Sequence, residues 1–134
     1  MNEMPDFCGI RLLLTEDNTL CAEIMTELLT LCHAKVSCVH SGEEAVRKVS
    51  EDEEGYDAVL MDVQMPGMNG YEATKAIRSL SRGANIPVFA LTASSQETDR
   101  ATAMKAGMNA FLQKPLEINA LGKVLSSYTH KLVS

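Results

Sequence analysis

The stretch Val59-Leu60-Met61-Asp62-Val63-Gln64-Met65-Pro66-Gly67-Met68-Asn69-Gly70 decides the fold. An apolar run of β type ends on a carboxylate and breaks at once into a turn built from Pro and Gly. A charge at the end of a buried strand is costly unless something pairs with it. Asp62 therefore either escapes to solvent or sits in a site that needs it.

Working outward from this stretch, β-type runs alternate with helix-period segments. Residues 57–61 read as the third strand, 10–14 as the first and 36–39 as a short second one. Residues 86–91 make a fourth, with Pro87 suited to its beginning, and 110–113 a fifth. Asn18 or Thr19 caps the first helix, whose Leu20, Ile24, Leu28 and Leu31 fall at helical spacing beside Cys21, Met25 and Leu29. Ser41 and Glu44 read as a capping box for the second helix, with Ala45, Val46 and Val49 on its inner face. A third helix covers about 71–80, with Ala73, Ile77 and Leu80 in register. Ser94 or Ser95 opens a fourth that Gly107 closes as a left-handed residue. The last helix carries Leu121, Val124, Leu125 and Tyr128 inward. Short strands alternating with helices predict an α/β fold, a doubly wound parallel sheet of five strands with helices on both faces.

The 134 residues suit one domain, 1–134, with a core over about 10–128. Net charge is −6 with no basic cluster, which argues against direct nucleic-acid binding. No apolar run approaches the ~20 residues that span a bilayer, and the MNEMPDFCG terminus lacks signal-peptide character, so a cytoplasmic location is expected. Cys8, Cys21, Cys32 and Cys38 form no CxxC pair and read as reduced thiols packed as small apolar groups. Cys32, His33, Cys38 and His40 match no common zinc spacing. His130 reads as a solvated tail residue.

In a doubly wound sheet, ligands sit beyond the carboxyl ends of the strands. Here the first strand runs into Glu16 and Asp17, the third into Asp62, the fourth into Thr92 and the fifth into Lys114-Pro115. The second contributes nothing notable. Taken singly, each residue has an ordinary reading as a solvated turn residue, cap or surface charge. Their gathering at one edge points to a site instead. Two carboxylates ~4 Å apart repel by about 4 kcal/mol at an effective dielectric near 20. A divalent cation removes the conflict, and a small all-oxygen set suits Mg²⁺. Asp62 then becomes a nucleophile able to form an aspartyl phosphate. Lys114 and Thr92 meet the remaining phosphoryl oxygens.

The segments LLLTEDN (12–18), VLMDVQMPGMNG (59–70), FALTA (89–93) and FLQKP (111–115) resemble the receiver domain of two-component response regulators. The wording DVQMPGMNGYEAT is similar to receivers attached to hybrid sensor histidine kinases. The resemblance implies the flavodoxin-like strand order 2-1-3-4-5 and these roles. Asp62 is the phosphoacceptor; Asp17 ligates Mg²⁺ directly, Glu16 through water, and Gln64 through its backbone carbonyl. Thr92 binds the phosphoryl group and moves toward it. Lys114 pairs with Asp62 and then with the phosphate. Phe111 is the aromatic that turns inward on activation, and Pro115 follows a cis peptide bond. Asn69 stands where many receivers have Asp.

The implied function is transfer of a phosphoryl group from a phosphohistidine onto Asp62, followed by a conformational switch. The donor is a sensor histidine kinase or a histidine phosphotransfer domain, and a phosphorylation-linked dimer is compatible with the family. Gln64 and Ser94 flank the path of the hydrolytic water. The chain is then no conventional multiple-turnover enzyme, either free-standing or the cytoplasmic part of a membrane-bound hybrid kinase. Two hydrogen bonds to the phosphoryl group offer ~3–6 kcal/mol in all. Inverting a 1:99 population needs ~5.5, so a biased ensemble is expected, with the fourth helix and the Phe111 strand moving. Two other functions share this fold: an Mg²⁺-dependent phosphohydrolase with an Asp nucleophile, and an interaction module that is never phosphorylated. A flavodoxin-like cofactor site is disfavoured, since TEDNT is anionic where a phosphate loop needs donors.

Overall fold

The computed structural model describes residues 4–93 and 97–129, with the side chains of all of these but 97–99. Five strands, β1 (Arg11–Thr15), β2 (Lys35–Val39), β3 (Ala58–Asp62), β4 (Val88–Thr92) and β5 (Ala110–Gln113), form one sheet in the order β2-β1-β3-β4-β5. Every pairing is parallel. The helices are α1 (Thr19–Leu31), α2 (Gly42–Glu51), α3 (Gly70–Ser79), α4 (Glu97–Ala106) and α5 (Ile118–Ser126), with a 3₁₀ turn at Ser81–Gly83. The chain runs outward from β1 to β2, then returns across β1 to β3. The switch point between β1 and β3 thus lies in the middle of the sheet.

The alternation of side chains along the strands divides the core into two layers. On one face Leu12, Leu14, Leu60, Phe89 and Leu91 meet Leu29 of α1 with Leu121 and Leu125 of α5. On the other, Leu13, Val59, Met61, Val88 and Ala90 meet Ala45, Val49, Ala73, Ile77 and Ala103. Because both faces are covered, β3 and β4 are buried throughout, which is why they read as unbroken apolar runs.

Three strands run one residue further than expected. Thr15 pairs with Val39, Asp62 with Leu91 and Thr92 with Gln113, so the ladder itself holds the polar residue that closes each strand. At the other end β4 begins at Val88, after Pro87, whose missing N–H suits the approach to the sheet.

Asn18 caps α1 by accepting from the Cys21 amide at 2.9 Å. Ala22, Met25 and Leu29 face the core, while Leu20 is 65% exposed, Ile24 56% and Leu31 65%. Two apolar stripes run along α1, and the sheet takes only one. Ser41 accepts from the Glu44 amide, but the Glu44 carboxylate meets the Ser41 hydroxyl at 3.4 Å rather than its backbone N–H, so only half of the capping box forms. A complete box occurs instead on α3, between Asn69 and Glu72. Gly107, at φ +102°, ends α4 as expected. Tyr128 lies just beyond α5, 43% exposed, with its hydroxyl donating to the Asn109 carbonyl at 3.1 Å. Ser94, Ser95 and His130 lie outside the described residues.

Candidate functional site

The carboxyl ends of β1, β3, β4 and β5 bring the expected residues to one rim. Glu16 follows β1 and is 1% exposed; Asp62 closes β3 and is 3% exposed; Thr92 closes β4 and is buried. Carboxylate oxygens of Glu16, Asp17 and Asp62 all lie within 4.8 Å of one another, with Asp17 the exposed member. Lys114, one residue past β5, reaches across the rim. Its ammonium stands 2.8 Å from Glu16 Oε1 and 2.9 Å from Asp62 Oδ2.

The backbone fixes this arrangement. The Lys114 amide donates to the Thr92 carbonyl at 2.8 Å, tying the ends of β4 and β5 together. The Gln64 amide donates to Asp62 Oδ1 at 3.1 Å, and the Asn18 amide to Glu16 Oε2 at the same distance. Gly70 packs so closely on the end of β3 that a Cβ there would collide with the backbone of Asp62 and Val63. A side chain at this position would push the acceptor strand. The Lys114-Pro115 bond is cis.

Electrostatics explain the pairing. Burial and the nearby Asp62 raise the Glu16 carboxyl above its usual range, opposed by Lys114 and the Asn18 amide. Burial works against the Lys114 charge, yet Glu16 and Asp62 outweigh it and hold the ammonium above its ordinary value. The ammonium thus offsets a repulsion that would otherwise protonate one acid.

One contributor was not expected. His40, just after β2, places Nδ1 3.0 Å from the Glu16 carbonyl oxygen. A carbonyl only accepts, so Nδ1 carries the proton and steadies the loop holding both acids. The only hint in the sequence is its place after a strand. Phe111 is half-buried against the α3 and α4 layer, with the Arg100 guanidinium 5.5 Å from its ring centroid. Among the described residues, the acidic triad is the only group of three or more His, Cys, Asp or Glu placed to hold a metal, and Cys32, His33, Cys38 and His40 form none.

Residues 12–126 match the family described as the response regulator receiver domain. The chain belongs to this family. The receiver is 37% identical over 122 residues to the sensor protein GacS of Pseudomonas syringae pv. syringae, covering 89% of this chain and 13% of that one. It spans 13% or less of the length of the first curated relatives it matches. Among solved structures it is similar to the receiver domain of sensor histidine kinase PA1611 from Pseudomonas aeruginosa PAO1, which has a magnesium ion coordinated in its active-site cleft. That match has a TM-score of 0.81 and 36% identity, covering 90% of this chain and 98% of the other. A second match is to the co-crystal of the Saccharomyces cerevisiae histidine phosphotransfer protein Ypd1 with the receiver domain of the response regulator Ssk1. There the TM-score is 0.80 at 28% identity, covering 95% of this chain and 91% of that one. No helix among the described residues is long and apolar enough to cross a membrane.

Proposed function

We propose that Asp62 of this receiver accepts a phosphoryl group from a phosphohistidine and that the acyl phosphate resets by hydrolysis. The observation that carries this reading is Lys114, whose ammonium is held 2.8 Å and 2.9 Å from the buried carboxylates of Glu16 and Asp62. A carboxylate oxygen of Asp62 attacks phosphorus, the phosphorus–nitrogen bond to the donor imidazole breaks, and the imidazole nitrogen keeps the electron pair. The Lys114 ammonium and the Thr92 hydroxyl stabilise charge gathering on the phosphoryl oxygens.

The carboxylates Glu16, Asp17 and Asp62 form a compact all-oxygen set that fits Mg²⁺ and fits zinc or copper poorly. These residues, with the Gln64 carbonyl, would hold the ion. When bound it would supply positive charge that offsets the negative charge of the carboxylates and of the incoming phosphoryl group. Water attack on the acyl phosphate returns the free carboxylate and inorganic phosphate, beside the exposed Gln64. One phosphoryl group per cycle makes the domain a switch rather than a conventional enzyme.

The second apolar stripe of α1 gives the donor a place to dock. Leu20, Ile24 and Leu31 stay exposed, and an apolar groove of about 170 Å³ between Ile24, Leu28, Pro115 and Leu116 runs up to Lys114 and Glu16. A helical donor surface burying this stripe would bring its histidine to the rim, as suits a histidine kinase or phosphotransfer domain. The four cysteines are free, in keeping with a reducing cytoplasm.

The decisive experiment offers the receiver a radiolabelled phosphohistidine phosphotransfer domain. Label should move to the receiver only with Mg²⁺, stop at one equivalent, and fail to move to Asp62→Asn. Many equivalents of phosphate released per receiver from a small phosphomonoester would favour a phosphohydrolase. Unaltered labelling of Asp62→Asn would refute the assignment.

A further inference from the structure

Helix α4 is held unevenly. At its C-terminal end, Arg78 of α3 donates to the Gly107 carbonyl at 3.0 Å and 2.8 Å and to Asn109 Oδ1 at 2.7 Å. Nearly two turns back, the contact with β5 is of another kind. The Arg100 guanidinium lies over the face of Phe111, within cation–π range.

Phe111 stands between a surface cleft and small side chains of the core. It is half-buried and opens onto a surface cleft of about 290 Å³ that Arg100 and Met104 also line. On the sheet, Phe111 is in register with Ala90, and Ala103 is a buried residue that α4 contributes to this layer. Neither carries an atom beyond Cβ. Thr92 lies on the same face of β4 as Ala90, two residues nearer the phosphoacceptor. A ring in this setting has two places to go: under the guanidinium at the surface, or inward beside Ala90 toward Thr92.

We propose that Arg100 is a latch that holds Phe111 outward in the unphosphorylated receiver and so sets how readily the domain switches. The inference rests on the phosphoacceptor reading of Asp62 for its effect on switching, though not for the contact itself. Loss of the cation removes a preference for the outward ring. The inward population rises, and with it the apparent affinity for anything that binds the switched state. An exposed cation–π contact predicts a gain of about two- to fivefold.

Arg100→Met keeps an apolar stem over the ring and removes the charge. The chain has three phenylalanines and no tryptophan, so labelling with 4-fluorophenylalanine gives three fluorine resonances, and Phe111→Leu identifies one. In the unliganded protein Arg100→Met should shift the Phe111 resonance and leave those of Phe7 and Phe89 in place. With Mg²⁺ it should bind beryllofluoride about two- to fivefold more tightly, a gain that vanishes in a Phe111→Leu background. An unmoved Phe111 resonance overturns the latch, as does an equal gain in both backgrounds. Failure of the unmutated protein to bind beryllofluoride would instead sink the phosphoacceptor reading, and the unliganded resonance would still judge the contact.

Discussion

Replacing Lys114 by methionine removes the ammonium that stands between two buried acids while keeping a stem of similar length. With Glu16 and Asp62 oxygens within 4.8 Å, the exposed repulsion at an effective dielectric of 20 is about 3.5 kcal/mol. Breaking a buried ion pair from one side generally costs about 3–5 kcal/mol, and the 27% exposure of the Lys114 side chain sets this case at the lower end. A loss of ~3 kcal/mol lowers the melting temperature by roughly 10 °C in a domain of this size. The assay is thermal unfolding at pH 7, followed by circular dichroism, in EDTA and then in saturating Mg²⁺. Because a divalent cation takes the place of the missing charge, Mg²⁺ should raise the melting temperature of the variant more than that of the unmutated receiver. Acid should act in the same direction. The Glu16 carboxyl is already raised by burial and Asp62, so the folded variant binds a proton more readily than the unfolded chain. Its deficit therefore shrinks as pH falls toward and through that raised range. Equal melting of both proteins in EDTA at pH 7, or a deficit indifferent to both Mg²⁺ and acid, would refute the reasoning.

Ile24→Asp should weaken transfer from a phosphohistidine donor by about 2 kcal/mol, some thirtyfold, through donor affinity, while labelling by a small phosphodonor is unchanged; saturation kinetics with both donors separate the two. Arg11 grips Asp52 with two hydrogen bonds of 3.1 Å and 3.0 Å and holds its carboxyl below the ordinary value. Arg11→Met should cost about 1.5–3 kcal/mol at neutral pH, and urea titrations should show that difference fading only below about pH 4, as Asp52 protonates in both proteins. Asn69→Ala removes the cap of α3 and should cost about 1 kcal/mol in urea unfolding while Asp62 labelling persists.

Much of this molecule is legible because the sheet is covered on both faces. Buried β3 and β4 must be apolar throughout, so the polar residue that ends each one stands out, and Asp62 and Thr92 were readable for that reason. Where reading failed, two physically different solutions shared one pattern. α1 carries two apolar stripes at helical spacing, and sequence cannot say which one the sheet covers. Met25 and Leu29 go in; Leu20, Ile24 and Leu31 stay out, and of these Ile24 lines the apolar groove that runs up to Lys114. Ser41 and Asn69 both precede a glutamate three residues on, yet only Asn69 closes a full box, which is set by side-chain geometry. His40 and Arg100 touch residues 24 and 11 positions away, Glu16 and Phe111, and contacts of that kind leave no local periodicity.

In the proposed chemistry one carboxylate among three takes the phosphoryl group. Borohydride reduces an aspartyl phosphate to homoserine, so peptide mapping after treatment with a small phosphodonor and borohydride locates the acyl phosphate directly. Homoserine should appear at position 62 alone, and only when Mg²⁺ was present. Reduction at Asp17, modification at Glu16, or modification that ignores Mg²⁺ would contradict it.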